Sequence, residues 1–163
     1  MTLELFRIDD RLIHGQVVVG WGQPCELGFL VLVDDEVATS EWEQELYRMG
    51  VPPEMGIYFD SVESAARRLA DYRADRRTGM LLTGDIGTMQ RLVATAGGIR
   101  SVTIGGIHHK PGRTAHERYV YLTDEEEAQL RALAATGVTV SAQDVPQAAA
   151  MPLEELLAQD GAS

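Results

Sequence analysis

Asp9, Asp10, Arg11, His14 and Gly15 fall together in FRIDDRLIHGQVVVGWG, residues 6–22. A plain connector between a strand and a helix needs only a turn and a cap, whereas this one concentrates groups that hold and move charge. A neutral imidazole has a nitrogen lone pair available for attack near neutral pH. Arg11 offers a planar fork of donors suited to phosphate oxygens. Gly15, without a Cβ, lets an anion approach the backbone, and a helix beginning there would present unpaired N–H groups to it. A carboxylate on one ring nitrogen would fix the tautomer and leave the other nitrogen to attack. These are the parts of a phosphohistidine site, yet none is unique to phosphoryl transfer. From the residues alone, a His14 that is merely solvated, an Asp10 that only caps the next helix and an exposed Asp–Arg pair of little energetic value all stay open.

The elements that would position this loop follow from patterning. β-branched runs predict strands over 3–8, 29–33, 55–59, 79–83, 100–104, 119–122 and 138–142. Helical patterns fall between most of them, over 15–22, 41–49, 62–72, 86–96 and 124–135, with a last one over 152–159. Asp60 with Glu63, and Thr123 with Glu126, have the capping-box spacing; Gly50 and Gly137 suit helix ends, and Pro152 a first helical turn. Strands alternating with helices imply α/β architecture: an open, mostly parallel sheet of about seven strands with helices on both faces, in one domain spanning residues 1–163. Ligands of such sheets sit at the carboxyl ends of strands, where the first loop is joined by VDDEVA (33–38), TGDIGT (83–88) and GGIHHKPG (105–112).

Composition narrows the function. Apolar residues make up 45% and charged residues 24% of the 163, ordinary for a globular chain. The net charge of −11 argues against a nucleic-acid partner and against anionic membrane surfaces. Neither a signal peptide nor a membrane-spanning run is expected, and the single cysteine, Cys25, fits a reducing cytoplasm. His108, His109 and His116 have no zinc-type spacing, so no metal is expected. No phosphate-binding loop of the nucleotide-binding kinds appears, and no cofactor is expected. Trp21 and Trp42 read as core or partner-facing aromatics.

RIDDRLIHGQV resembles the active-site signature of the IIB subunits of the mannose/fructose/sorbose class of the bacterial sugar phosphotransferase system. VLVDDEVA, RLVATAGGIRSVTIGGIHHKPGRT and LTDEEEAQLRALAATGVTVSAQDVP resemble later segments of that family in the correct order, so nearly the whole chain is covered. The resemblance implies that His14 carries a phosphoryl group, received from a IIA donor and passed to a sugar brought in by membrane IIC and IID partners. The family's histidine is phosphorylated on the ring nitrogen nearer the backbone. The resemblance further assigns Asp10, Arg11, Gly15 and Gln16 to the phosphate loop, and puts Asp34, Asp35 and the turn of Gly105, Gly106 and His108 along the same cleft. It places the chain in the cytoplasm, held at the inner face of the membrane through its partners. With no IIA-like segment before Leu3 a separate donor chain is expected, and exposed edge strands or apolar helix faces could support a homodimer. Departures occur where the chain has no Lys or Arg between Arg11 and Arg48, where TGDIGT replaces a loop that often contains proline, and at Asp34, where Asn is common. A regulatory phosphoprotein, modified at His14 but moving no sugar, is the alternative. A weaker one is an enzyme acting on a small anion with His14 as general base.

Overall fold

The computed structural model describes residues 3–13 and 15–159. The chain runs β1 (Leu3–Ile8), α1 (Gly15–Gly22), β2 (Leu27–Val33), a 3-10 turn (Val37–Thr39), α2 (Glu41–Met49), β3 (Gly56–Asp60), α3 (Val62–Ala74), β4 (Thr78–Thr83), α4 (Ile86–Ala96) and β5 (Ser101–Ile104). It continues through β6 (Thr114–Glu117), β7 (Val120–Leu122), α5 (Asp124–Ala135), β8 (Thr139–Ala142), β9 (Met151–Pro152) and α6 (Leu153–Ala158). The main sheet has the order β3-β2-β4-β1-β5-β8-β9, parallel except where β9 runs against β8.

Apolar side chains on both faces explain the parallel arrangement, because a strand covered on two sides gains from apolar residues at every position. In β2, Phe29 to Val33 are all fully buried. Phe29, Val31 and Val33 pack with α3, α4, α5 and α6, whereas Leu30 and Leu32 meet Val18 and Trp21 of α1. One face therefore carries α1 and α2 and the other α3 to α6.

The predicted α/β architecture is observed, with differences that have physical causes. The 119–122 run does not enter the main sheet. As β7 it pairs antiparallel with β6, and a bridge links Val120 to Ile107, just beyond β5. The seventh strand is β9, too short and proline-bearing to show a period of two. Asp60 is no cap: Ser61 is the N-cap of α3, accepting the Ser64 N–H at 3.1 Å. Asp60, 2% exposed, instead accepts from Ser64 Oγ, Arg68 and the Tyr72 hydroxyl. The Thr123–Glu126 capping box opens α5 as expected, and Gly137 follows that helix with φ +99°. Gly50 ends α2 at φ −90°, without the left-handed turn a glycine would allow. Pro152 is the N-cap of α6 rather than a residue of its first turn.

The strand order decides where the site lies. β1 sits between β4 and β5, so the loops leaving their carboxyl ends are neighbours. Backbone hydrogen bonds join them: Asp9 N–H to Thr83 O at 2.9 Å, Asp10 N–H to Gly106 O at 2.8 Å and Gly105 N–H to Ile8 O at 2.7 Å.

Candidate functional site

The loop after β1 is anchored by a buried carboxylate. Asp9 is fully buried and accepts from Arg11 three times, from its N–H (3.1 Å) and Nε (2.8 Å) on Oδ1 and from Nη2 (2.6 Å) on Oδ2. Arg7, 1% exposed, approaches the same Oδ2 from the strand side at 3.4 Å. Burial alone would raise the Asp9 carboxyl, but the Arg11 hydrogen bonds and the charges of Arg11 and Arg7 outweigh it and hold the group below the usual carboxylate range. Burial lowers Arg7, and the Asp9 hydrogen bonds raise Arg11; both stay cationic.

Arg7 is oriented from its other side as well. Its guanidinium donates to the carbonyls of Gln143 (2.7 Å) and Asp144 (3.0 Å) and lies 4.5 Å over the Trp21 ring. Trp21 Nε1 donates to the same Asp144 carbonyl at 3.0 Å. This side of the loop is thus tied to α1 and to the segment after β8. The two glycines after β5 make room for it. A Cβ on Gly105 would fall 2.5 Å from Asp9 Oδ2 and 2.6 Å from Arg7 Cζ, and one on Gly106 2.8 Å from Arg11 Nε. The tight approach, more than any φ requirement, explains glycine at both positions.

Beyond Asp9 the chain turns sharply. Leu12 has φ +54°, a conformation costly for a side chain with a Cβ, and its N–H returns to Asp9 O at 3.0 Å. Its side chain packs closely on Gly84, where a Cβ would be 3.1 Å from Leu12 Cδ2. Ile13 follows, and Gly15 begins α1, with Gln16 in its first turn. His14 lies outside the described residues.

Asp10 takes a different partner from its neighbour. Its Oδ2 accepts the His108 N–H at 2.8 Å and its Oδ1 lies 2.5 Å from His108 Nδ1. Arg113 donates to the His108 carbonyl at 2.7 Å and is clamped by Glu126 at 2.9 and 2.8 Å. The Glu126 that holds it is also the N3 residue of the α5 capping box, so this helix start steadies the site.

The structure therefore brings together Asp10, Arg11, Gly105, Gly106 and His108, beside the start of α1 at Gly15 and Gln16. The hydrogen bonds of Asp34 and Asp35 lead elsewhere. Asp34 Oδ1 accepts the N–H groups of Glu36 and Val37, capping the 3-10 turn. Asp35 accepts the Val62 N–H at 3.0 Å and pairs with Arg91 at 3.0 Å, which together hold its carboxyl low. Arg7 and Arg113 escaped the sequence reading. An arginine inside the otherwise apolar LELFRI run, directly before two aspartates, was the available signal for Arg7. Among the described residues no cluster of His, Cys, Asp and Glu could hold a metal, and no helix is long and apolar enough to cross a membrane.

A loop braced by Arg7 and Arg11, ending at a helix start on the carboxyl side of an open parallel sheet, has the layout of a ligand-binding α/β protein. The chain belongs to the family of the PTS system sorbose subfamily IIB component, whose model matches residues 3–163. It is 34% identical over 145 residues to the N-acetylgalactosamine-specific phosphotransferase enzyme IIB component 1 of Escherichia coli (strain K12), covering 87% of this chain and 90% of that one. It is 28% identical over 162 residues to the mannose-specific EIIAB component of the same strain, spanning 98% of itself and 49% of that longer protein. Among solved structures it is similar to manxB from Thermoanaerobacter tengcongensis, with a TM-score of 0.86 and 28% identity over 96% of this chain and 95% of that chain. The IIBSor domain of the sorbose permease from Klebsiella pneumoniae gives 0.84 and 26%, over 97% and 98%.

Proposed function

We propose that this IIB component is the last cytoplasmic carrier of a sugar phosphotransferase relay, with His14 as the residue that holds the phosphoryl group. In this reading His14 receives the group from a phosphorylated IIA protein and gives it to a sugar translocated by membrane IIC and IID partners. Residues 1–163 act as one domain, in the cytoplasm at the inner face of the membrane. The observation that carries the reading is the Asp9 brace, which fixes the loop on the carboxyl side of β1 immediately before His14 and the start of α1.

Phosphoryl transfer asks little of the protein beyond placing the two nucleophiles in line and neutralising the equatorial oxygens. On loading, the N–P bond of the donor breaks as one forms to a His14 ring nitrogen, and no net proton moves. The N–H groups at the start of α1, around Gly15 and Gln16, serve as the anion cradle. Arg11 adds its charge from a fork whose Nε and Nη2 are already locked on Asp9. Asp10, whose carboxylate also meets the His108 N–H and Nδ1, or a backbone carbonyl orients His14 in this scheme.

The test is phosphoryl transfer in vitro from a charged IIA protein. Wild-type protein should label and His14→Ala should not, while Arg11→Ala should label slowly. Equal labelling of His14→Ala would refute the assignment. A charged donor that labels the chain when no sugar-side partner exists in the source cell would favour the regulatory alternative.

A further inference from the structure

We propose that His108 is the general base of the sugar hand-off, with Asp10 as the positioning residue behind it; this rests on the relay reading above. Loading moves a phosphoryl group between two nitrogens and releases no proton. Hand-off to a hydroxyl does release one, and the site therefore needs an acceptor at that step only. Asp10 and His108 form a carboxylate–imidazole pair suited to it. Asp10 Oδ1 lies 2.5 Å from Nδ1, and the tautomer that donates from Nδ1 to this carboxylate leaves the Nε2 lone pair to accept a proton.

The pair is better fixed than an exposed ion pair would be. The His108 N–H is bound by Asp10 Oδ2 and its carbonyl by Arg113, whose guanidinium is gripped twice by Glu126. Both sides of the residue are pinned by charged groups, yet its side chain remains 62% exposed. The loop-to-loop register is already set by Asp10 N–H to Gly106 O, so the imidazole is not needed to make that join. A pinned backbone with an accessible ring, paired to Asp10 four positions before His14 in the sequence, is an arrangement for proton transfer. The facing charged groups are Asp10, with Arg113 at 3.9 Å from its Oδ2, and Glu126 behind Arg113.

The sugar hydroxyl oxygen forms its bond to phosphorus as the N–P bond to His14 breaks, and the N–P electron pair returns to the His14 ring as its lone pair. The hydroxyl proton passes to His108 Nε2, the Asp10 carboxylate stabilises the resulting imidazolium, and the proton later leaves to solvent. General-base assistance of this kind is worth roughly 10²–10⁴-fold.

The experiment follows two rates with the intact chain, a charged IIA donor and membrane vesicles from the source cells, using mannose, fructose, sorbose and N-acetylgalactosamine as acceptors. His108→Gln should slow hand-off about 100-fold and reduce it far more than it reduces loading. In His108→Ala, added imidazole should restore part of the hand-off, because the site is open. Equal hand-off in wild type and His108→Gln, a parallel loss of both rates, or no response to imidazole would overturn the proposal. Wild-type chain that loads but transfers to none of the four sugars would overturn it too, leaving the loading function standing. Wild-type chain that never loads from a charged donor would remove the relay reading itself.

Discussion

Asp9→Asn is the perturbation that the structure makes most quantitative. Asp9 is fully buried between Arg7 and Arg11, and its Oδ2 takes Arg11 Nη2 at 2.6 Å and Arg7 Nη2 at 3.4 Å. Substitution removes the buried carboxylate between two guanidinium groups, of which Arg7 is 1% and Arg11 13% exposed, and leaves Asp144 Oδ1 at 3.7 Å from Arg11 Nη2. If the new amide keeps its oxygen toward Arg11 Nε, its NH₂ group must face donors. Removing one partner of a buried pair costs about 3–5 kcal/mol. For a chain of this length that corresponds to a fall in Tm of about 10 °C. Linkage gives a second handle. The folded Asp9 carboxyl is held below its unfolded value by Arg11 and Arg7 against the effect of burial, so its contribution is complete above an unfolded value near ~3.9 and disappears as pH falls through the folded one. The gap between wild type and Asp9→Asn should therefore be constant near neutrality and shrink in acid. Urea unfolding at a series of pH values measures both. A gap below about 1 kcal/mol at pH 7, or one that does not narrow in acid, would refute the reasoning.

Three further outcomes are expected. Gly79→Ala puts a Cβ 2.5 Å from Phe29 Cε1, and that ring is fully buried beside Tyr58 and Tyr72, so urea melts should show a loss of about 2–3 kcal/mol. Thr123→Ala removes the side chain that caps α5 at 3.0 Å and should cost about 1 kcal/mol by the same assay, with faster amide exchange over the first turn of α5. Gly137→Ala forces a side chain into φ +99° with no clash to relieve, and should lower stability by about 1 kcal/mol while leaving the far-UV spectrum unchanged.

The sequence showed the architecture because the strands that build the sheet centre are long apolar runs separated by capped helices. The boundaries of β1, α1, α2, α4 and α5 fall where the pattern places them, with Asp85 and Thr123 capping α4 and α5. It failed where tertiary pairing outweighs local pattern. Nothing in Met151–Pro152 announces a strand, and only the edge of β8 makes it one. The 119–122 run has strand composition, yet its nearest partner is the adjacent hairpin arm. In the site, the loop residues were readable because their types are chemically specific. Asp10 was legible as a carboxylate but not its partner, because His108 is 98 residues away. Arg7 and Arg113 were hidden for the same reason: an arginine inside a strand and one in a loop acquire meaning only when folding brings Asp9, Trp21, His108 and Glu126 around them.

The central claim is that the braced loop exists to hold phosphate on His14. Its most direct test is to incubate the chain with phosphoenolpyruvate-charged upstream proteins, isolate the phosphorylated species and locate the group by peptide mass. The account predicts acid-labile, alkali-stable phosphate on the peptide bearing His14, and none in His14→Ala. Phosphate elsewhere, or an unlabelled chain beside a donor shown to be charged, would contradict it.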